Sequence, residues 1–539
     1  MIYITRGMRS VNDALFELAK TFNKNRDHKI SILEIYPLWL KLCPGNRPVL
    51  KWLADNTLQY TNDPQLQIHY IDEFCGLPGV TRQEILKYKL KRTVLCIQYC
   101  VYQSIEDYDT LLEIFNSLCQ DFLAIDAREF PISYYFVPML ARADLACQVM
   151  YQIRPMVKAN PMQLVSKSRK IGFLWLPIKS DPSFQCLKLF LEALSFEENI
   201  TIFFDEKDAS SVLCLDDKRL LEQITVKSCA GLDDKQIATM IRRENIGVLI
   251  NMYWNFHRGY GVFQEITSLV VINFQGFASP ICAPEVFTYS ISDVFLRNKI
   301  TVDVSNREKL IIMPIYHQIN FPDVDQPDKV ISIRDPFILG YIVRATKLAP
   351  HHVKVISEFL DATHKTRIHL FCTDKNLKLV SESLMMLELL PKHLNRIDVI
   401  YEPRRQEYLR RIRQASMFLD TFGHWSMHST ALEVIWNWIP FLTVKSDTLF
   451  SHSEAILQSL DLDELAFSHP RQVVEALIEF SRPDSTRYTA VCHKLISNCE
   501  KTGLFNMAVR VRLFKNLVSS VLKDETSDDI LMQSLAHAN

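Results

Sequence analysis

The chain has 539 residues, of which 48% are hydrophobic and 23% are charged, and its formal net charge at pH 7 is −1. This length accommodates about three domains, and the apolar share is sufficient for large cores. The near-neutral balance argues against a protein that attracts nucleic acid or a membrane surface as a whole, because such attraction needs an excess of basic residues. A local basic site remains compatible with this net charge.

The thirteen cysteines are scattered and lie mostly in apolar runs, as Cys96 and Cys100 do. No pair of CxxC motifs indicates structural zinc, so we interpret them as buried free thiols of a reducing, cytoplasmic compartment. The N-terminus lacks the pattern of a secretory signal. The longest uncharged run, 266–284, contains Asn273, Gln275 and two prolines, and is interpreted as a strand and a loop rather than a membrane span.

Residues 1–165 are predicted to form an all-α N-terminal domain. Capping patterns at Ser10, Thr81 and Ser104 precede amphipathic runs, and Thr81-x-x-Glu84 resembles a capping box. No fixed repeat period is found, so a helical solenoid is not supported.

From Lys170 onward, short apolar runs alternate with helical patterns, which is typical of parallel sheets with helices between the strands. The runs are KIGFLWL, ITIFFDE, IGVLINM, SLVVINF and KLIIMPI, and then VISIRD, RIHLFCT, IDVIYE, SMFLDT and PFLTV. The polar segment 320–329 is predicted to be a linker, and a last helix covers about 504–522. The sequence therefore predicts two Rossmann-like lobes, 166–325 and 326–539, with a ligand cleft at the carboxyl ends of the strands.

The stretch 417–444 is predicted to form a buried strand, a polar turn, an amphipathic helix and a second buried strand. The turn brings His428, Ser429 and Thr430 to the first residues of the helix. A helix N-terminus has unpaired N–H groups and a positive dipole end, so it suits a phosphate, and the three side chains add donors. Only 13 glycines occur, with no Walker loop or GxGxxG motif. This helix start is therefore the candidate site for a nucleotide diphosphate.

The same stretch resembles the nucleotide-sugar motif of O-GlcNAc transferases and their bacterial relatives, which include the adhesin N-glucosyltransferases. The matching residues are, in order, Leu419-Asp420-Thr421, His428-Ser429-Thr430, Glu433, Trp436 and Pro440. The turn is one residue longer than in the animal enzymes. Further matches follow the family's order at 170–182, 306–314, 395–421 and 502–517, so the resemblance covers about residues 165–525.

The resemblance implies a GT-B fold and an inverting, metal-independent transferase that has no cofactor and uses a UDP-sugar. It implies diphosphate contacts for His428, Ser429 and Thr430. Glu433 would accept hydrogen bonds from ribose hydroxyls, although Thr430-x-x-Glu433 is equally a capping box. Lys347 would balance charge on the departing nucleotide, the alternative being a solvated lysine.

Other positions are less closely matched. Arg344 stands where the family often has glutamine, and Gly276 stands where it has a glycine in a donor-facing loop. Arg405 and Arg411 lie in a predicted basic helix, and the resemblance favours pyrophosphate or base contacts for one or two arginines of this run. A solvated helix face is the alternative. Tyr408 replaces a histidine that is frequent in the family.

The catalytic base is the least defined part of the site. Asp181 precedes Pro182 where the family usually has a histidine before proline. A carboxylate could orient or deprotonate an acceptor, but its ordinary pKa is far lower than that of histidine, and an Asp-Pro pair is also a common helix N-cap. His257 is the second candidate, and it could instead be a packed loop histidine.

Two short acidic motifs resemble the metal-binding DxD of other glycosyltransferases. They are Asp323-x-Asp325 and Asp461-x-Asp463, and we interpret both as solvated loop acids. A metal is not expected, because cationic side chains and a helix dipole can stabilise a leaving diphosphate.

The resemblance implies transfer of GlcNAc or a hexose to serine or threonine of a protein acceptor, held in part by the helical N-terminal domain. One alternative is an N-glucosyltransferase that modifies asparagine of adhesins. Another is a catalytically inactive glycosyltransferase-like subunit that binds a partner through its N-terminal domain. The sequence identifies neither the sugar nor the acceptor.

Overall fold

The computed structural model describes most of the chain between residues 47 and 523. The described ranges are 47–61, 64–98, 105–124, 168–175, 182–195, 198–204, 224–252, 260–266, 269–274, 289–297, 309–322, 325–329, 335–343, 349–372, 391–422, 426–446 and 451–523.

The chain divides into two compact units, Met1–Phe136 and Val137–Asn539. Helices account for the described residues of the first unit. They are α1 (Arg47–Thr61), α2 (Pro64–Cys75), α3 (Arg82–Gln98) and α4 (Ile105–Leu123). Leu53, Ile71 and Phe74 belong to one buried cluster of this unit.

The predicted capping box at the start of α3 is confirmed. The backbone N–H of Glu84 donates to Thr81 Oγ1 at 3.2 Å, and the backbone N–H of Thr81 donates to Glu84 Oε2 at 3.2 Å. These reciprocal bonds satisfy donors that a helix start leaves unpaired, and so they fix where α3 begins. The caps predicted at Ser10 and Ser104 lie outside the described residues.

In the second unit, the described residues first form a sheet of seven parallel strands in the order β3-β2-β1-β4-β5-β6-β7. The strands are β1 (Ile171–Trp175), β2 (Ile200–Phe204), β3 (Thr225–Ser228), β4 (Val248–Asn251), β5 (Val270–Asn273), β6 (Tyr289–Asp293) and β7 (Lys309–Met313). Its helices are α5 (Pro182–Ser195), α6 (Asp234–Arg243), α7 (Tyr260–Glu265) and α8 (Val294–Arg297). Strands β2, β4 and β5 are buried at every position, as expected for strands covered on both faces.

A second parallel sheet follows, with the described strands in the order β10-β9-β8-β11-β12-β13. They are β8 (Ile338–Val343), β9 (Arg367–Cys372), β10 (Ile397–Tyr401), β11 (Met417–Leu419), β12 (Phe441–Val444) and β13 (Ala466–Phe467). Its helices are α9 (Pro350–Ala362), α10 (Arg405–Ile412), α11 (Ser429–Trp436), α12 (His452–Ser459), α13 (Pro470–Phe480) and α14 (Thr486–Lys501). Short 3₁₀ helices cover Pro391–Arg396 and Asp463–Leu465.

Both sheets have the strand order of a Rossmann fold. Counted from its own first strand, each begins 3-2-1-4-5-6. The direction of strand addition therefore reverses between β1 and β4 in the first sheet, and between β8 and β11 in the second. In such sheets ligands bind outside the carboxyl ends of the strands at this switch point. The predicted pair of Rossmann-like lobes after an N-terminal helical region is confirmed.

The C-terminal helix α15 (Met507–Leu522) follows the second sheet in sequence but packs in the core of the first. The ring of Phe514 lies 5.5 Å from the ring of Phe190 and 5.4 Å from that of Phe274, between centroids. Phe514 is also stacked with Phe173 at 6.2 Å. Helix α15 therefore contributes to the core of the first lobe.

Several elements differ from the sequence prediction. The first described strand of the second sheet is β8, at its centre, whereas most of the predicted strand VISIRD lies outside the described residues. Strand β8 itself was not predicted. Strands β3, β6 and β13 were not predicted either. They carry polar side chains or are very short, so no apolar run marks them. The domain boundaries at 165 and 325 stay a prediction. Within the described residues, no helix combines the length and apolar character needed to span a membrane.

Replacing Phe514 by alanine tests the packing of α15 on the first sheet. We expect Phe514→Ala to lower the free energy of unfolding by about 3 to 5 kcal/mol, because the variant loses a fully buried ring and leaves a cavity. Urea unfolding followed by circular dichroism measures the change. Arg512→Ala, on the exposed face of α15, is the control and should stay within about 0.5 kcal/mol of the parent protein. Equal stability of the two variants would contradict this packing.

Candidate functional site

The start of α11 lies directly after β11, beside the switch point of the second sheet. His428 is the N-cap of α11, and its side chain makes no capping hydrogen bond. Its backbone has φ 54° and ψ −126°, which a residue with a Cβ adopts only when the surrounding structure enforces it. Ser429 and Thr430 are the first two residues of the helix. These three residues therefore lie at a helix start, as the sequence predicts. Their ligand contacts stay a prediction.

Asp420 supports the turn that leads to this helix start. It is fully buried, and its Oδ1 accepts the backbone N–H of Met427 at 2.7 Å. Its Oδ2 accepts the hydroxyl of Thr443, on the neighbouring strand β12, at 2.6 Å. Burial raises the pKa of Asp420 above its usual value, while these hydrogen bonds oppose the rise. The carboxylate fixes the turn against the sheet at some electrostatic cost.

Glu433 forms an ion pair with Arg405. Arg405 Nη2 lies 2.5 Å from Glu433 Oε1, and the Glu433 side chain is only 5% exposed. The capping box suggested for Thr430 and Glu433 is not formed, because the helix begins at Ser429 and not after Thr430. Two residues predicted separately are therefore brought together, and a carboxylate is held in a defined position on α11.

Arg411 is placed differently from Arg405. Its guanidinium lies 3.8 Å from Glu402 and 3.9 Å from Glu407, and its side chain is 41% exposed. Glu402 also receives hydrogen bonds from Arg404 at 2.8 and 3.0 Å. The carboxylates near α10 thus offset part of the positive charge of its arginines. Tyr408, on the same helix, packs edge-on against a phenylalanine of β9, and burial raises its pKa.

A buried stretch that the sequence did not single out joins the first lobe to α11. Residues 314–322, which we call the crossing segment, follow β7 and are mostly buried. Gln318 Nε2 lies 3.1 Å from Nδ1 of His428, and Asn320 Nδ2 donates to the carbonyl oxygen of Ser429 at 2.7 Å. Asn320 is the first residue of the polar segment that the sequence predicts to be a linker, yet this residue is only 2% exposed. The sequence signal for this contact is a run of polar residues, YHQIN, directly after an apolar strand.

His352 contacts both the residue that precedes α9 and the loop that follows β11. It is fully buried near the start of α9. Its Nδ1 accepts the backbone N–H of Ala349 at 3.2 Å, and its Nε2 lies 2.7 Å from the carbonyl oxygen of Phe422. An accepting Nδ1 and a neighbouring carbonyl require the neutral tautomer with its proton on Nε2. The connections after β8 and after β11 are thereby tied together.

Five of the predicted site residues lie outside the described residues, and their positions are known only by the elements that flank them. Arg344 and Lys347 stand between β8 and α9 in the sequence. Asp181 follows β1 and His257 follows β4, the two strands that flank the switch point of the first sheet. Gly276 follows β5. The roles of all five stay predictions.

The structure describes the second acidic motif in full and part of the first. Lys494 pairs with Asp461 at 3.4 Å and with Glu464 at 3.1 Å, and Asp463 opens a 3₁₀ helix. Asp323 lies outside the described residues. Among the residues that are described, no group of three or more histidine, cysteine or acidic side chains is arranged to hold a metal ion.

Comparison with known proteins gives one informative likeness. No protein-family model matches the sequence, and no curated protein matches it. Among solved structures, a mutant O-GlcNAc transferase of Thermobaculum terrenum is similar, with a TM-score of 0.62, 15% identity, and coverage of 96% of this chain and 99% of that one. The chain has the GT-B fold of O-GlcNAc transferase. The resemblance and the fold class expected from the sequence are thereby confirmed, and at this identity the likeness shows the fold alone.

Two further solved structures are less similar to this chain. The Anabaena protein HepE, in complex with UDP and glucose, has a TM-score of 0.44 at 13% identity. A glycosyltransferase from Rickettsia africae has a TM-score of 0.45 at 12% identity. Each covers 66% of this chain and 100% of its own. Their TM-scores are too low to bear on the fold assignment.

Replacing Asp420 by asparagine should reveal the cost of burying its charge. Since the folded-state pKa is raised, ionisation is harder in the folded than in the unfolded protein. The stability of the parent protein relative to Asp420→Asn is therefore highest below about pH 3.9, the ordinary aspartate pKa, and falls as the pH rises through the folded-state value. Urea unfolding of both proteins from acid to neutral pH measures the difference. A difference that grows in favour of the parent protein at higher pH would contradict the prediction.

Proposed function

We propose that this protein is an inverting, metal-independent glycosyltransferase that moves GlcNAc or a hexose from a UDP-sugar to serine or threonine of a protein acceptor. The observation that carries the proposal is the position of His428, Ser429 and Thr430. They form the start of α11 at the switch point of the second GT-B sheet, where such folds bind ligands. The order of the family motif along the chain supports the same donor class.

The donor site is proposed to bind the diphosphate at the N-terminus of α11. The helix dipole favours an anion there, and the side chains of His428, Ser429 and Thr430 supply donors. The backbone N–H groups of Thr430 and Ala431 already donate to the carbonyl oxygens of Met427 and His428, both at 3.0 Å, so the side chains carry most of the proposed contact. Lys347 and Arg344 precede α9 in the sequence and would add positive charge. In this proposal the Thermobaculum terrenum enzyme supports GlcNAc as one candidate sugar.

The pair formed by Arg405 and Glu433 is proposed to bind the nucleoside. Its buried carboxylate is fixed by the guanidinium at 2.5 Å, so it can accept hydrogen bonds from ribose hydroxyls without being reoriented. Arg411 is more exposed and only loosely paired, and it would approach the base or the pyrophosphate. Gly276 would leave room for the donor in the loop after β5.

The proposed reaction is a direct displacement. The acceptor oxygen forms a bond to the anomeric carbon while the bond from that carbon to the β-phosphate oxygen breaks. Its electron pair leaves with UDP, and the cationic and N–H groups around α11 stabilise the developing charge without a metal ion or a cofactor. The acceptor proton passes to a base from the first lobe, for which Asp181 and His257 are the candidates.

Two alternatives share this donor site. An asparagine acceptor would make the protein an N-glucosyltransferase, and mass spectrometry of the modified acceptor distinguishes the two amino acids. A chain that binds UDP but transfers no sugar would be a partner subunit. The presence of Asp181 where the family usually has histidine favours this second alternative. In either case, binding of the acceptor or partner by the N-terminal helical unit is part of the proposal.

UDP binding is the first experimental test. A ligand that binds only the folded state stabilises it by mass action, so UDP at about 100 times its Kd should add about 2.7 kcal/mol and raise the melting temperature. We expect UDP and UDP-sugars to raise it more than GDP at equal concentration. Differential scanning fluorimetry measures the shifts. If purified protein neither responds to UDP nor hydrolyses any UDP-sugar, the proposed function is wrong.

The role of Lys347 is tested by Lys347→Ala. Because the side chain is proposed to stabilise charge that develops on the leaving UDP, we expect kcat for sugar transfer or UDP-sugar hydrolysis to fall by roughly 10² to 10³. The affinity for UDP should fall as well. Lys354→Ala, at an exposed position of α9, is the matched control and should change neither quantity. Unchanged binding and turnover in Lys347→Ala would exclude this residue from the site.

A further inference from the structure

A polar network connects the crossing segment to the start of α11. Gln318 Nε2 lies 3.1 Å from His428 Nδ1. The hydroxyl of Tyr316 donates to Gln318 Oε1 at 3.2 Å and lies 2.8 Å from Nδ1 of His452. The His452 ring packs edge-on against the His428 ring, with 4.4 Å between their centroids. Gln318, which belongs to the crossing segment and not to the second sheet, thus contacts His428, a residue proposed to bind phosphate.

The protons in this network can be assigned from its donors and acceptors. Burial raises the pKa of Tyr316 well above its usual value, so the phenol keeps its single proton. When that proton is donated to Gln318 Oε1, the Tyr316 oxygen can accept a hydrogen bond from Nδ1 of His452. With its carbonyl group engaged, Gln318 presents its amide N–H to His428, whose Nδ1 accepts it. A neutral imidazole that accepts at Nδ1 carries its proton on Nε2.

We propose that Gln318 is a positioning residue of the donor site, which holds His428 in the tautomer with the proton on Nε2. The His428 ring then presents an N–H donor to the diphosphate instead of a lone pair. Since phosphate oxygens are strong acceptors, a lone pair at this position would oppose binding. The inference rests on the proposed function, because it takes a diphosphate as the ligand of His428.

The segment that carries Gln318 is itself held rigidly by the first lobe. The fully buried Arg510, on α15, donates to the carbonyl oxygen of Tyr316 at 2.6 Å. His317 is bound through Nδ1 to Asp293, at the end of β6, at 2.6 Å. A side chain on such a segment has little freedom to turn away. Gln318 therefore meets the requirement that a positioning group be fixed by its surroundings.

A double-mutant cycle on UDP affinity, measured by isothermal titration calorimetry, tests the inference. His428→Ala should weaken UDP binding by roughly 10- to 100-fold, the range for a hydrogen bond to a charged group. Gln318→Leu should weaken it by roughly 3- to 10-fold. If Gln318 acts through His428, adding Gln318→Leu to His428→Ala should cause no further loss. An equal loss in both backgrounds would overturn the inference.

Asn320→Ala is the matched control for general loosening of the crossing segment. It removes the contact to the Ser429 carbonyl but leaves the contact between Gln318 and His428. Any effect of Asn320→Ala on UDP affinity should be as large in the His428→Ala variant as in the parent protein. If His428→Ala itself leaves UDP affinity unchanged, the diphosphate site is wrong. If His428→Ala weakens binding but Gln318→Leu does not, only the positioning role fails.

The tautomer can be observed directly by ¹⁵N NMR of histidine-labelled protein, with the His428 signals assigned by their loss in His428→Ala. In the parent protein, Nδ1 of His428 should lack a proton and Nε2 should carry one. The near-isosteric Gln318→Glu places an acceptor beside Nδ1 and should add a proton there. This variant also keeps the test valid if Gln318→Leu fails to fold. A proton on Nδ1 and none on Nε2 in the parent protein would overturn the inference.

Discussion

The buried guanidinium of Arg510 holds the segment that crosses from the first lobe to the second. It donates to the carbonyl oxygens of Leu504 and Tyr316, and so binds the start of α15 to the crossing segment. Burial lowers its pKa to about 10, so it remains charged at neutral pH in spite of its location. A buried cation is tolerated only where hydrogen bonds satisfy it, and these carbonyls do so. The crossing segment, fixed in this way, can place polar side chains against α11 and α12.

The fold could be predicted from the sequence because parallel strands that are covered on both faces leave continuous apolar runs. The runs at β1, β2, β4, β5, β7, β9, β11 and β12 were visible for this reason, and the run at β10 was visible although its positions are only half-buried. Strand β8 was missed although it is central in its sheet. Its sequence, ILGYIV, follows another apolar run closely, and Gly340 interrupts it. A Cβ on Gly340 would lie 2.5 Å from the ring of Phe418, so the residue that obscures the pattern is required by the packing.

The candidate site was predictable to a different degree. His428, Ser429 and Thr430 could be placed because a helix start and a family motif coincide in a few adjacent residues. The pairing of Arg405 with Glu433 and the contact of Gln318 with His428 join residues 28 and 110 positions apart. Such contacts depend on how helices and lobes pack, which a local pattern does not record. The same limit explains why a capping box was suggested at Thr430 when the helix in fact begins earlier.

The location of α15 has a consequence for how the chain is made. The seven described strands of the first sheet leave the ribosome before the second lobe has been synthesised, yet the helix that packs in their core follows that lobe in the sequence. Domains generally fold as units during synthesis, from the N-terminus onward. The first sheet must therefore leave the apolar side chains that receive Phe514 and its neighbours uncovered throughout translation of about 200 further residues. Complete burial of this surface therefore waits until α15 has been translated.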